Sequence, residues 1–299
     1  MKELAIVTGG SKGIGKCLVQ SLAETSSVLN ISRTSLNPPS IPSRHEVYSL
    51  RQDLSDVEGL QKSLTSWLND HPEFEVSLFV SNAATLKLGW LPGLSHSEFR
   101  EAFAVNAHAP ITISTTLMRL DKFAELGARI IYVTSSLARN VEALSFGGIG
   151  LYSATKAALG RFASIQRREL SLRDPTISVT QVHPGVVDTS MQSDLRRNIA
   201  DDPAFVLKNA RLPDYKAGDW EGVSPSENMR TIPARLAADF LLWVSEVPGD
   251  ELENEYDFYS CSSFHGRHAT HSGRLGAVAN SGELSSGLTG SLRSRALEG

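Results

Sequence analysis

The sequence predicts an α/β protein, a three-layer doubly wound parallel sheet in a single domain. Three observations predict it. Short continuous apolar runs, as strands buried on both faces require, recur along the 299 residues and alternate with stretches of helical period. Such alternation builds right-handed βαβ units and a parallel sheet. A glycine-rich turn, Thr8-Gly9-Gly10-Ser11-Lys12-Gly13-Ile14-Gly15, stands where the first run meets the first helix. Finally, the residues able to do chemistry lie just after the apolar runs, and open α/β sheets bind ligands outside the carboxyl ends of their strands.

Leu4 to Val7 is the first strand, and Gly13 opens a helix with Leu18, Val19 and Leu22 on its apolar face. Val28 to Ile31 is the second, followed by a loop containing Pro38, Pro39 and Pro42. Val47 to Leu50 is the third and leads to Asp53. Ser55 then reads as the N-cap of a helix reaching about Leu68, with Glu58 as its capping-box partner. Val76 to Val80 is the fourth strand, ending in Ser81-Asn82-Ala83-Ala84, and one long helical region follows from Ser97 to Leu120. Ala128 to Val133, the fifth, runs into Thr134-Ser135-Ser136, and a helix then begins near Leu151 and continues towards Leu170. Ile177 to Val182 is the sixth, ending in His183-Pro184-Gly185. Ile232 to Val244 has the period of an amphipathic helix, and Tyr256 to Tyr259 supplies a last strand. Residues 191–229 break into fragments punctuated by Pro203, Pro213 and Pro225, which reads as a substrate-side lid or a surface excursion. From residue 263 to 299 the chain is Gly-, Ser- and Arg-rich without a hydrophobic period, as a disordered tail is.

A net charge of −4 leaves no basic surplus for phosphate backbones, which argues against nucleic acid as a partner. The two cysteines, Cys17 and Cys261, are too few for a disulfide framework and fit a reducing compartment. The N-terminal apolar run is too short for a signal sequence, and no stretch is long enough for a membrane span. A cytoplasmic protein is expected.

In the glycine turn, main-chain N–H groups and the positive end of the helix dipole face an anion such as a pyrophosphate. Thr8, Gly9, Ser11, Lys12, Gly13, Ile14 and Gly15 are its candidate contacts. Ser32 and Arg33 follow the second strand, where the ribose of a dinucleotide would lie. An acidic residue there reads NAD, whereas an Arg suits the 2′-phosphate of NADP, so Arg33 with Lys12 favours NADP(H). Asp53 is placed to accept from an adenine amine. Asn82 and Ala83 offer a small-residue floor, and Pro184, Gly185, Val187 and Thr189 line the same edge. Tyr152 and Lys156 are four apart on one helical face, a spacing that surface helices also carry without function. A phenol holds its proton to about pH 10, and a neighbouring cation lowers that value, so the pair is a candidate proton donor.

In order along the chain, Thr8-Gly-x-x-x-Gly13-x-Gly15, Asp53, Asn82-Ala83-Ala84, Asn106, Ser135-Ser136, Tyr152-x-x-x-Lys156 and Pro184-Gly185-x-x-x-Thr189 resemble the short-chain dehydrogenases/reductases. The likeness spans Lys2 to Tyr259, and Pro184 to Gln192 carries a closer likeness to the branch of benzil and sepiapterin reductases. The resemblance implies a Rossmann-fold domain over residues 1–262, NADP(H) as cofactor and a catalytic set of Ser136, Tyr152, Lys156 and Asn106. By the same implication Tyr152 protonates a carbonyl oxygen and Ser136 polarises it. Lys156 lowers the phenol's pKa and holds the nicotinamide ribose, and Asn106 supports a water linking Lys156 to solvent. A homodimer or homotetramer, built through the helices near 97–120 and 152–170, is implied as well.

Two departures shape the expected activity. Ser136 lies sixteen residues before Tyr152, farther than the family's usual spacing, so the intervening loop should be longer, with Ser135 as the alternative if its register shifts. Sepiapterin reductases anchor the pterin with an Asp in a sequence like Asp-Phe-Tyr-Asp, whereas here Asp257-Phe258-Tyr259 is followed by Ser260. The expectation is NADPH-dependent reduction of a small, largely apolar ketone or α-diketone, as in benzil reduction. Reduction of a pterin ketone is the second reading, and a non-catalytic NADP-binding regulatory module the third. Substrate selection is expected from residues 137–146 and 191–229.

Overall fold

A computed structural model of the chain describes residues 1–36, 44–139, 148–194 and 231–266. The N-terminal apolar run becomes β1 (Lys2–Thr8), buried from Leu4 onward. It is followed by α1 (Gly13–Leu22), β2 (Ser27–Ser32), β3 (Val47–Arg51), α2 (Val57–Asp70) and β4 (Phe74–Ser81). Next come α3 (His96–Phe103), α4 (Ala109–Arg119), β5 (Ala128–Val133), α5 (Gly150–Arg173) and β6 (Ile177–His183). The short strands β7 (Val187–Asp188) and β8 (Ile232–Pro233) pair with each other, and α6 (Ala234–Glu246) leads to β9 (Glu255–Asp257).

The main sheet has seven strands in the order β3-β2-β1-β4-β5-β6-β9, all paired in parallel. Strand order reverses between β1 and β4, so a crevice opens beyond the carboxyl ends of these two strands. On one face Leu60, Leu64 and Leu68 of α2 and Ile113 and Leu117 of α4 meet Leu159, Ala163 and Leu170 of α5 over the sheet. The i, i+4, i+8 spacing of the α2 leucines puts all three on one stripe, and each contributes roughly 1.5–3 kcal/mol by leaving water. On the other face α1 and α6 pack together. No helix among the described residues is long and apolar enough to cross a membrane.

Four elements differ from expectation. Asp56, not Ser55, caps α2, because the Asp53 carboxylate takes both the Ser55 amide (2.9 Å) and the Ser55 hydroxyl (2.8 Å). The Asp56 carboxylate then accepts from the Gly59 amide at 3.0 Å. The region 97–120 is not one helix. Ser95 and Glu98 form a capping box that starts α3, and a π-helical turn, Ala104–His108, separates it from α4. Pro110 explains the break: it has no N–H for the Asn106 carbonyl four residues back. The amphipathic helix starts at Ala234 rather than Ile232, since Ile232 pairs with Val187 and Pro233 takes the N-cap position. The last strand is Glu255–Asp257 and leaves Phe258 and Tyr259 beyond the sheet.

Contacts divide the chain into two units, Met1–Cys261 and Ser262–Gly299, the second described only at residues 262–266. Of the expected lid at 191–229 and tail at 263–299, residues 195–230 and 267–299 lie outside the described residues, as do 140–147 of the loop before Tyr152.

Candidate active site

The crevice is built first from β1. The Thr8 hydroxyl accepts from the main-chain amides of Asn82 and Ala83, both at 3.0 Å. Asn82 Nδ2 donates back to the Thr8 carbonyl at 3.0 Å. These bonds clamp the ends of β1 and β4 where strand order reverses. Gly9 turns with φ +71°, and a Cβ on Gly15 would stand 2.4 Å from the Gly9 carbonyl and 2.6 Å from Asn82 Nδ2. Only glycine at position 15 lets α1 start that close to the strand ends. Lys12, the exposed N-cap residue of α1, makes no side-chain cap, so the first-turn amides stay unclaimed by side chains and fit an anionic group. Ser11 and Ile14 are half-buried beside them. Across the crevice, Thr189 Cγ2 is the atom a Cβ on Gly13 would approach, at 3.3 Å.

Beneath the turn lies Asn30, which the sequence reading missed. It is fully buried in β2, and its Oδ1 accepts from the Gly10 amide at 2.8 Å. Its Nδ2 donates to the Ser32 hydroxyl at 2.9 Å, which in turn donates to the Thr34 carbonyl at 2.7 Å. The Ser32 side chain is thereby buried in a turn network, in contrast to the ribose contact expected of it. A lone amide inside the apolar run Val28-Leu29-Asn30-Ile31 was the available signal. Arg33 and Asp53 stand exposed at the ends of β2 and β3. The Asp53 carboxyl is held below its ordinary value, first by the Ser55 amide and further by the positive charge of Arg33. Asp53 and Ser55 line a cleft with Arg100, Glu101 and Ala104.

The chemistry-bearing residues gather at the ends of β4, β5 and β6. Lys156 is 1% exposed, and its Nζ donates to the Val133 carbonyl at 2.7 Å. Nζ lies 5.9 Å from the centroid of the Tyr152 ring. The Tyr152 phenol hydrogen-bonds the hydroxyl of Ser135. Ser136 is exposed and begins a single 3-10 turn, Ser136–Ala138. The structure therefore brings Ser135, not Ser136, to the phenol: Ser135 is still extended (φ −156°, ψ 143°), continuing β5, and the chain turns away immediately after it.

Burial raises the Tyr152 phenol to about 12, with the Ser135 hydrogen bond pulling in the opposite direction. Burial also lowers the Lys156 ammonium to about 8. The Lys156 ammonium is turned onto the Val133 main-chain carbonyl, and the influence that lowers the phenol here is the Ser135 hydrogen bond. Asn106 is fully buried in the π-helical turn. Its Oδ1 accepts from the Thr85 amide at 2.7 Å, and its Nδ2 donates to the Thr85 carbonyl (2.9 Å) and to Thr155 Oγ1 (3.0 Å). Thr155 Oγ1 donates in turn to the Tyr152 carbonyl at 2.8 Å. The Asn106 side chain thus ties the loop after β4 to the first turns of α5.

After β6 the chain turns at Gly185 with φ +83° over the ring of Tyr259. The Val186 amide donates to the Tyr259 hydroxyl at 2.8 Å. Pro184 is buried, Val187 enters β7, and Thr189 Oγ1 donates to the Val187 carbonyl at 3.4 Å. The arrangement offers a glycine turn whose first-turn amides carry no side-chain cap, a polar edge at Arg33 and Asp53, and a phenol beside a hydroxyl and an ammonium.

Residues 3–200 match the family model described as short chain dehydrogenase. The chain is 28% identical over 209 residues to a benzil reductase ((S)-benzoin forming) of Bacillus cereus, covering 66% of this chain and 80% of that protein. It is 30% identical over 221 residues to the L-xylulose reductase of Mesocricetus auratus, covering 73% and 84%. Among solved structures, a short chain dehydrogenase of Burkholderia cenocepacia J2315 in complex with NADP superposes with TM-score 0.65 at 23% identity, covering 85% of this chain and 94% of that one.

Proposed function

The chain belongs to the short-chain dehydrogenase family, and from that premise we propose that it reduces a small, largely apolar ketone or α-diketone with NADPH. The family makes it an oxidoreductase acting on alcohol or carbonyl groups. The observation that carries the reading is the Tyr152 phenol hydrogen-bonded to Ser135 beside the buried Lys156 ammonium.

The glycine turn fits a dinucleotide, since no side chain caps the first-turn amides of α1 that a phosphate would take. Thr8, Gly9, Ser11, Lys12, Gly13, Ile14 and Gly15 would hold the phosphates, Arg33 the 2′-phosphate and Asp53 the adenine. Asn82, Ala83, Tyr152, Lys156, Pro184, Gly185, Val187 and Thr189 would hold the nicotinamide half. Bound NADPH supplies a hydride to the carbonyl carbon.

The chain's own residues meet the charge that develops on the carbonyl oxygen. Tyr152 donates its proton there and Ser135 donates a hydrogen bond to the same oxygen. A phenol with a pKa near 12 is fully protonated at neutral pH, the state a reductase needs. The Lys156 ammonium steadies the phenolate that remains. The Asn106 carbonyl, deprived by Pro110 of its helical donor, is the group we assign to the water that returns a proton through Lys156.

An apolar substrate is supported by exposed Trp90 and Leu91. A Cβ on Gly150, two residues before Tyr152, would meet the Leu91 side chain at 3.3 Å. The Bacillus cereus relative and Ser260 at the pterin-anchoring position point the same way. NADPH consumption with benzil, sepiapterin and a ketose, assayed side by side, tests this reading. Fastest turnover with benzil is expected, and turnover confined to sepiapterin or the ketose would overturn it. Arg33→Ala is expected to raise the KM for NADPH about tenfold while leaving that for NADH unchanged. Equal changes for both cofactors would remove Arg33 from the 2′-phosphate. Exposed Phe99 and Phe103 on α3 and Phe162 and Ile165 on α5 support a homodimer or homotetramer, whose mass sedimentation would measure.

A further inference from the structure

We propose that His183 is a positioning residue: held by Glu255, it fixes the end of β5 through the Thr134 hydroxyl and so aims the hydroxyl of the next residue, Ser135, at the oxygen that Tyr152 protonates. The inference rests on the assignment of Ser135 to that oxygen.

His183 closes β6 and is 2% exposed. Its imidazole lies against the Ser135 main chain. Nδ1 lies 3.4 Å from the Thr134 hydroxyl. Nε2 donates to the carboxylate of Glu255, which opens β9. The same carboxylate pairs with the guanidinium of Arg139, which ends the turn that starts at Ser136. One imidazole thereby bridges the strands on either side of β6, and Arg139 ties the far end of the Ser136–Ala138 turn to the same point.

The charged groups facing the imidazole are Glu255, Arg139 and Lys156, with Asp257 beside Arg139. Burial first, then the two cations, lower its pKa to about 3, so it stays neutral through the working range. An apolar side chain would close a strand end at least as well, but would leave the Glu255 carboxylate without its imidazole donor. A satisfied buried polar network instead fixes one geometry. What it fixes here is the last extended residue of β5, from which the Ser135 hydroxyl leaves towards the phenol.

A double-mutant cycle between His183 and Ser135 tests the proposal, using the carbonyl compound the wild-type protein reduces fastest. At saturating NADPH, His183→Ala is expected to slow single-turnover reduction about tenfold, with the NADPH Kd changed less than about twofold. In a Ser135→Ala background the same change is expected to cost less than about twofold, because the hydroxyl it aims is gone. An equal loss in both backgrounds overturns the proposal. Wild-type turnover by Ser135→Ala itself overturns the Ser135 assignment, and this inference with it. If His183→Ala lacks a cooperative thermal melt, Glu255→Gln replaces it in the cycle, with an expected loss of about fivefold and the same dependence on Ser135.

Discussion

Tyr152→Phe is expected to lower turnover about a thousandfold while the NADPH Kd stays within about threefold. The substitution removes one oxygen and keeps the ring that lies against Lys156 Nζ. Packing at the start of α5 therefore survives, and the Asn106–Thr155–Tyr152 link survives too, because it ends on the Tyr152 carbonyl. What is lost is the donor to a developing alkoxide. The Ser135 hydroxyl still offers a hydrogen bond, but an alcohol is a far weaker acid than a phenol and does not replace it as the proton donor. Single-turnover reduction followed by nicotinamide absorbance reads the effect, and the loss should fall on kcat rather than KM, as for an interaction made in the transition state. Wild-type turnover would remove Tyr152 as the acid.

Lys156→Met is expected to abolish useful turnover and to stabilise the fold. Burial takes the Lys156 pKa from 10.5 to about 8. An unfolded chain binds the proton more tightly, so burying the cation costs about 3 kcal/mol at neutral pH. That cost is fully present below pH 8 and fades as pH rises from 8 to 10.5, where the unfolded chain also releases its proton. Wild-type stability should therefore increase across that window. Met fills a similar volume without charge but forfeits the bond to the Val133 carbonyl, worth about 1 kcal/mol. The net expectation is a gain of about 2 kcal/mol at pH 7, shrinking towards pH 10.5. Urea unfolding of the two proteins at pH 7 and pH 10 measures it, and equal stability at both pH values would contradict the buried ammonium.

The strands were legible because burial on both faces forces continuous apolar runs, and Leu4 to Val7, Val76 to Val80 and Ala128 to Val133 fall inside β1, β4 and β5. The glycine turn was legible because Gly15 is a steric requirement that no other residue meets. Which serine faces Tyr152 was not, because it depends on whether the chain is still extended at residue 135 or already turning at 136. Asn30 and His183 were hidden for a related reason. A polar residue inside or at the end of a strand looks like noise until its partners, Gly10 for Asn30 and Thr134 and Glu255 for His183, arrive from distant segments. The break between α3 and α4 did leave a sign, Pro110, which the helical period of the surrounding residues masked. Ser55 failed as a cap only because Asp53 competes for it.

Mass spectrometry of the alcohol formed from benzil and NADPH deuterated at the transferable position of C4 tests most directly whether Tyr152 and its neighbours form a carbonyl-reducing centre. One deuterium on the carbinol carbon for each NADPH consumed is expected from the wild-type protein, and about a thousandth of that amount from Tyr152→Phe in the same time. Tight NADPH binding with no deuterium transferred, or equal transfer by both proteins, would contradict it.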